Sequence, residues 1–154
     1  MRTTEHETIR EYLSISDCLA TAGQPAREQF AWIAMAGFDK VINLATRDSP
    51  GAVADERQVV SRLGMAYRHI AVEWTQPTER KLRDFFLEMR ASADLRLFVH
   101  CAFNQRVSVF VYLYRVMELG EPRSTAWQQV LEIWQPDETW QSFIERSLAN
   151  HAAE

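Results

Sequence analysis

The chain carries one cysteine in a setting suited to nucleophilic chemistry. Cys101 follows an apolar run, residues 95–99, and precedes a helix-like run, residues 107–119. The backbone N–H groups that open a helix, together with the helix dipole, favour an anion and lower the pKa of a nearby thiol. Arg106, in the first helical turn, can grip an oxyanion through two parallel hydrogen bonds. Thiolate, amides and guanidinium together predict a site where sulfur attacks an oxyanion ester.

The elements that must position this cysteine alternate between strand and helix. Strands are expected at 11–22 (two short strands around a polar turn), 41–44, 65–72 and 95–99, and helices at 26–36, 53–63, 77–89, 107–119, 124–134 and 137–149. The alternation implies βαβ crossovers, and so an α/β fold with a mostly parallel central sheet of about four to five strands, flanked by helices, with a helical C-terminal tail. Ligands of such sheets bind beyond the carboxyl ends of the strands, where the chain order places Cys101.

Composition limits the classes of function. The chain has 154 residues, 47% of them apolar and 25% charged, which predicts one soluble domain over residues 1–154. A net charge of −4 without a basic stripe argues against a nucleic-acid partner. No apolar run is long enough for a membrane span, and residues 1–7 lack the pattern of a signal peptide. With only Cys18, interpreted as a core residue, and Cys101, no disulfide framework is expected, and the cytoplasm is the expected location.

The layout of residues 95–108 is a strand, a His-Cys pair, a short loop, an arginine, a serine and a helix. It resembles the cysteine-dependent protein phosphatases, in particular the small tyrosine and dual-specificity phosphatase-like group with its bacterial members. Residues 21–25, 37–44 and 67–70 are similar to the early segments of that bacterial group. The resemblance implies the phosphotyrosine-phosphatase-like form of the α/β fold. It also implies hydrolysis of phosphate monoesters, phosphotyrosine among them, through a phospho-cysteine intermediate, with no metal and no cofactor.

The loop departs from the pattern of that family, which has five residues between Cys and Arg, a glycine in mid-loop, and Ser or Thr directly after Arg. Here only four residues intervene, namely Ala102, Phe103, Asn104 and Gln105. Asn104 stands where glycine would be, and Ser108 is two residues after Arg106. Because Asn tolerates left-handed backbone angles, we expect Asn104 to make the turn. The shorter span also occurs in rhodanese-like sulfurtransferases, so sulfur transfer through a Cys101 persulfide stays open.

The resemblance assigns roles around the loop. Cys101 is the nucleophile, and the amides of residues 102–106, with the Arg106 guanidinium, bind the phosphoryl oxygens. His100 is expected to orient the loop and the thiolate rather than to act as a general base. Ser108 either hydrogen-bonds at the helix start or assists departure of the thiolate.

A phosphatase of this kind also needs a general acid to protonate the leaving oxygen. The family supplies an Asp from the loop after the preceding strand, but the corresponding residues here, 72–78, contain no Asp. Glu73 is therefore the expected acid, with Asp48 as an alternative from another loop. Trp74 is expected either to wall the pocket and stack on an aromatic substrate or to pack in the core.

The missing Asp and glycine leave a third alternative open, a non-catalytic domain that binds phosphate or phosphopeptides. The expected partner is a phosphorylated protein or a small phosphate ester, and inorganic phosphate or sulfate is expected to occupy the loop. Neither a nucleic acid nor a membrane is expected as a partner. All three alternatives place the ligand at Cys101 and differ in whether a bond to its sulfur forms.

Overall fold

A computed structural model describes residues 8–152, so the expectation about a signal peptide at residues 1–7 lies outside the described residues. The elements, in chain order, are β1 (Leu13–Ser16), β2 (Leu19–Ala22), α1 (Gln29–Met35), β3 (Lys40–Asn43), α2 (Glu56–Arg62), β4 (Ala66–His69), α3 (Glu79–Ala91), β5 (Leu97–His100), α4 (Gln105–Met117), α5 (Arg123–Ile133) and α6 (Glu138–Ala152). The strand expected at 65–72 is shorter than predicted, and the other expected elements are present with small shifts of their ends.

The sheet has five strands in the order β1-β2-β5-β3-β4. Only the pairing of β1 with β2 is antiparallel, and β2 with β5, β5 with β3 and β3 with β4 are parallel. The register aligns Asn43 with both His100 and His69, so the carboxyl ends of β5, β3 and β4 lie side by side. This confirms the predicted α/β fold with a mostly parallel sheet.

Both faces of the sheet are covered, as parallel sheets require. Successive side chains of β5 point to opposite faces. Val99 packs with Phe85, Phe110 and other residues of helices α3 to α6, while Phe98 packs with Phe30 and other residues of α1 and α2. All four residues of β5 are buried, so the strand that leads into the cysteine loop is held from both sides.

The interpretation of Cys18 as a core residue is wrong, because its side chain is exposed. Cys18 lies in the tight turn between β1 and β2, where its backbone N–H donates to the Ser16 hydroxyl over 3.2 Å. The alternation of apolar residues in this segment comes from the two strands on either side of the turn. Separately, none of the helices within residues 8–152 has the length and apolarity needed to cross a membrane.

Candidate active site

Cys101 lies directly after β5, at the carboxyl edge of the sheet. It lines a cleft of about 400 Å³ whose wall includes Glu73, Trp74, Phe103 and Arg106. The residue is only 1% exposed, so its side chain lies at the floor of this cleft. An attacking sulfur in this position is reached by a ligand that enters the cleft rather than by bulk solvent.

The loop after Cys101 turns into helix α4 at Asn104, which has the left-handed angles φ 64° and ψ 1°. The expected turn at this residue is therefore present. The Asn104 side chain does not cap the helix but donates to the Glu11 carbonyl (2.9 Å) and to the Thr21 hydroxyl (3.0 Å). The first helical bond runs from the Ser108 N–H to the Asn104 carbonyl over 2.8 Å. The amides before Ser108 consequently have no partner within the helix, which leaves them available to an anion.

The other side of the loop rests on the chain after β2. The Gln24 N–H donates to the Ala102 carbonyl (2.9 Å), and the Cys101 N–H donates to the Ala22 carbonyl (3.3 Å). Gly23 lies between the two residues that make these hydrogen bonds. No larger residue fits there, because a Cβ atom would lie 2.6 Å from the Ala102 carbonyl oxygen. The sequence analysis noted the similarity of residues 21–25 to a family segment but missed this packing role.

Arg106 extends from the first turn of α4 into the same cleft and is 5% exposed. Its Nη1 donates to the Val72 carbonyl over 2.9 Å and its Nη2 to the Ser49 hydroxyl over 3.2 Å. Among residues 8–152, no carboxylate forms an ion pair with it. A guanidinium that is buried, fixed in plane and not in ion-pair contact with a carboxylate is suited to bind an oxyanion.

His100 is fully buried beneath the loop, and both of its ring nitrogens face acceptors. Nε2 lies 2.6 Å from Glu56 Oε2, and Nδ1 lies 3.3 Å from the carbonyl oxygen of Cys101. A carbonyl cannot donate a hydrogen bond, so Nδ1 is the donor towards Cys101, while Nε2 makes the short contact with the Glu56 carboxyl. The arrangement is a buried histidine–glutamate pair beneath the cysteine loop.

Glu56, on α2, is a residue that the sequence analysis missed. Besides His100 it accepts hydrogen bonds from Gln24 Nε2 (2.8 Å) and from the Tyr67 hydroxyl (3.0 Å). Burial raises the pKa of the Glu56 carboxyl, but the charge and hydrogen bond of His100, aided by the two other donors, outweigh burial and lower this pKa below its ordinary value. Burial, with the Glu56 charge beside it, raises the pKa of Tyr67. No local motif marks Glu56, because its partner is 44 residues away.

Two carboxylates reach the cleft, and their surroundings differ. Glu73 is exposed at its edge, and no hydrogen bond or ion pair of its side chain is found within residues 8–152. Asp48 accepts a hydrogen bond from the Thr46 hydroxyl over 2.6 Å. That bond, a further bond from the Asp48 backbone and the charge of Arg106 lower the pKa of Asp48. Asp48 is thus held as a carboxylate.

The remaining predicted residues lie at the side of α4. Trp74 lines the cleft and also packs on Trp134 and Trp140, with ring centroids 5.2 and 5.7 Å apart, so it both walls the pocket and belongs to the packed interior. The Ser108 hydroxyl donates to the Gln105 carbonyl (2.7 Å) and accepts from Trp134 Nε1 (2.9 Å). These bonds favour the first of the two roles considered for Ser108, at the helix start.

Metal chemistry has no evident anchor in the described part of the chain. Within it, no three His, Cys, Asp or Glu side chains are grouped so that they could hold a metal ion. The lining of the cleft provides a thiol, a guanidinium and two carboxylates, those of Cys101, Arg106, Asp48 and Glu73.

No family model matches the chain. Its sequence is similar to two curated beta-lactamase hydrolase-like proteins, from the Temecula1 and 9a5c strains of Xylella fastidiosa, at 29% identity over 110 residues. The match covers 69% of this chain but 25% of each relative. The chain thus spans about a quarter of the length of the curated relatives it matches.

The fold is similar to that of several crystallised proteins. Two crystal structures of a candidate phosphatase of the DUF442 group, from Shewanella putrefaciens CN-32, have TM-scores of 0.85 and 0.81 at 29% and 32% identity. They cover 96% and 94% of this chain and 97% and 92% of their own.

Two further structures are similar in fold alone, because their identity is low. Kinase associated phosphatase, with its catalytic-site cysteine substituted by serine, has a TM-score of 0.76 at 13% identity over 95% of this chain and 97% of its own. TpbA from P. aeruginosa, in complex with phosphotyrosine, has a TM-score of 0.64 at 14% identity over 78% of this chain and 71% of its own.

Proposed function

The chain belongs to the cysteine-dependent phosphatase fold family, and on that premise we propose that it hydrolyses phosphate monoesters through a phospho-cysteine intermediate on Cys101. The observation that carries the proposal is the meeting of two groups in one cleft. The Cys101 side chain lies at its floor, and the buried guanidinium of Arg106, not in ion-pair contact with any carboxylate of the described residues, lines its wall. A phosphate group is the ligand that satisfies both groups at once.

The reaction then proceeds in two displacements. The Cys101 thiolate attacks phosphorus in line, so that an S–P bond forms while the bond to the leaving oxygen breaks. The free amides at the start of α4 and the Arg106 guanidinium bind the equatorial oxygens as charge spreads over them. The Val72 carbonyl and the Ser49 hydroxyl hold the guanidinium in place beforehand, which lowers the cost of orienting it. Water then cleaves the S–P bond and releases phosphate.

Glu73 is proposed as the acid that protonates the leaving oxygen. Asp48 is less suited to that step, because its lowered pKa keeps it deprotonated. Glu73→Gln should lower kcat about 100-fold for alkyl phosphates and much less for para-nitrophenyl phosphate, whose leaving group needs no proton. The comparison of the two substrates is the measurement. An equal loss on both would contradict the role of Glu73.

Aryl phosphates, and phosphotyrosine in a protein above all, are the proposed substrate class. Trp74 lines the cleft on one side, and Phe103, 39% exposed, is part of the same wall. The Arg10 guanidinium lies 5.0 Å from the centre of the Phe103 ring and helps to hold it. The phosphotyrosine bound to the similar TpbA structure supports this choice. Both cysteines are free, which is typical of a reducing compartment, so the cytoplasm is the proposed location.

Hydrolysis of para-nitrophenyl phosphate by the purified protein tests the proposal. Cys101→Ser should remove the activity, and Cys18→Ser is the matched control because Cys18 is exposed and distant in sequence from the cleft. The intermediate should appear as a mass increase of one phosphoryl group on Cys101 after rapid acid quench. Turnover that survives Cys101→Ser would refute the mechanism.

The four-residue spacing favours a second candidate, sulfur transfer through a Cys101 persulfide. Thiosulfate would then transfer its outer sulfur to the Cys101 thiolate with release of sulfite, which adds the mass of one sulfur atom, and cyanide would remove that sulfur as thiocyanate and regenerate the thiolate. A third outcome, stabilisation by phosphate or vanadate in a thermal-shift assay without turnover of either substrate, would instead identify a binding domain. The three candidates are thus distinguished by ester turnover, by sulfur transfer, and by anion binding without either.

A further inference from the structure

A second cavity, of about 440 Å³, lies beside the Cys101 cleft. We call it the arginine cavity, and the residues that define it are Asn43, Arg47, Glu56, Arg57, Tyr67 and His69. Thr46 lines both cavities, so the segment after β3 forms the wall between them. The proposed hydrolysis leaves this space without a role.

The cavity carries an excess of positive charge. Arg47 and Arg57 line it, and neither forms an ion pair within residues 8–152. The carboxylate in its lining, Glu56, is already engaged by three donors and balanced by His100. The Arg57 guanidinium lies 5.1 Å from the centre of the Tyr67 ring, which fixes its position while its N–H edges remain free to bind. A fixed guanidinium and a second arginine attract an anion.

The sheet sets the separation between the two cavities. Asn43 pairs with His100 on one side and with His69 on the other, so the ends of β5, β3 and β4 are adjacent. Neighbouring strands lie about 4.8 Å apart, so the ends of β3 and β4 lie roughly 5 and 10 Å from the end of β5. An extended peptide advances about 3.3 Å per residue. A group one to three residues away from a bound phosphorylated residue spans a comparable distance.

We propose that the arginine cavity is a subsite for a second anionic group on the substrate, an inference that rests on the proposed hydrolysis at Cys101. The second group is a carboxylate near the phosphorylated residue of a peptide or another phosphate on a small ester. The subsite selects among substrates and takes no part in bond cleavage. Salt weakens the selection, because both arginines are exposed to solvent.

The test compares substrates that differ only in charge beside the phosphate. The peptide arm uses phosphotyrosine peptides of equal length with two glutamates or two glutamines next to the phosphotyrosine, and the small-molecule arm uses a sugar bisphosphate and the matching monophosphate. The measured quantity is the ratio of kcat/KM for the acidic to the neutral substrate. The proteins are the wild type, Arg47→Gln, Arg57→Gln and the double variant. Arg62→Gln, also on α2 but outside the cavity lining, is the matched control.

The expected ratio is roughly 10 in the wild type, falling about threefold for each arginine removed and reaching about 1 in the double variant. A preference in one arm identifies the source of the second anion. A ratio near 1 in both arms of the wild type, or a preference that the double variant retains, would overturn the subsite. If no substrate is turned over, binding of fluorescently labelled versions of the same peptides to Cys101→Ser, followed by fluorescence anisotropy, measures the preference directly. Failure of the hydrolysis and failure of the subsite are thus distinguished.

Discussion

Replacement of Glu56 by Gln should destabilise the protein well beyond the usual cost of a conservative change. Glu56 and His100 are 4% and 0% exposed, so their contact of 2.6 Å is buried. Glu56 accepts three hydrogen bonds in all. A charged acceptor strengthens each bond by about 1 kcal/mol relative to a neutral one, so the loss of charge costs about 3 kcal/mol in the free energy of unfolding. In Glu56→Gln, the new amide N–H₂ group also replaces a carboxylate oxygen that accepted hydrogen bonds, so it faces another donor and leaves that donor unpaired.

Urea unfolding at pH 7, followed by tryptophan fluorescence, measures this cost. Asp55→Asn is the matched control, because Asp55 precedes Glu56 in the chain but pairs with Arg27 in solvent. The control should show no measurable loss of stability, as expected for an exposed ion pair. A Glu56→Gln protein within ~0.5 kcal/mol of the wild type would refute the assignment of a buried histidine–glutamate pair under the cysteine loop.

The same variant has a pH signature. The pKa of Glu56 is lower in the folded protein than in the unfolded chain, where it is about 4.3. Ionised Glu56 therefore stabilises the folded state at pH values above the pKa of the unfolded chain. This stabilisation is lost as the pH falls through the pKa of the folded protein. The gap in stability between wild type and Glu56→Gln should therefore be full at pH 6 to 7 and shrink below about pH 4. Unfolding midpoints across this range measure the gap. A gap that stays constant to pH 3 would contradict the charged state of Glu56.

Three substitutions test how the loop is held. Gly23→Ala forces the Ala102 carbonyl away from the new Cβ and should cost about 1–3 kcal/mol of stability, measured by urea unfolding, together with a loss of kcat/KM. Asn104→Ala should destabilise the protein by about 1 kcal/mol more than Asn104→Gly does. Both variants lose the side-chain hydrogen bonds of Asn104, but only alanine is strained at φ 64°. Equal losses of stability would show that this strain is unimportant. Arg106→Lys should lower kcat/KM for para-nitrophenyl phosphate at least about 100-fold, because lysine lacks the planar fork, and near-normal activity would remove the guanidinium from the mechanism.

The sequence was sufficient for those features whose signals are local. Apolar periodicity and turn residues located the strands and helices, and the order of elements placed Cys101 at the sheet edge. Asn104 could be assigned to a left-handed turn because few residue types adopt those angles. Arg106 could be placed in the first helical turn because the apolar pattern of α4 begins directly after it.

Features that depend on long-range packing could not be predicted in this way. The partner of His100 lies 44 residues earlier, on a helix whose own pattern assigns Glu56 only to a first turn. The need for Gly23 comes from the Ala102 carbonyl of a loop that the sheet brings against it. Cys18 was misplaced because its segment alternates like a buried strand, while the turn that exposes it is set by the pairing of β1 with β2.

The short loop between Cys101 and Arg106 is compatible with a functional cleft for a geometric reason. Helix α4 begins at Gln105, so Arg106 is its second residue. Helical side chains lean toward the N-terminus, which directs Arg106 back over the loop rather than along the helix. Its bonds to the Val72 carbonyl and to Ser49 keep it there, within the wall of the cleft that contains Cys101. The loop has four residues between Cys101 and Arg106, one fewer than the family pattern. The left-handed turn at Asn104 compensates for the missing residue, because it reverses the chain at a single residue and helix α4 begins at the next one.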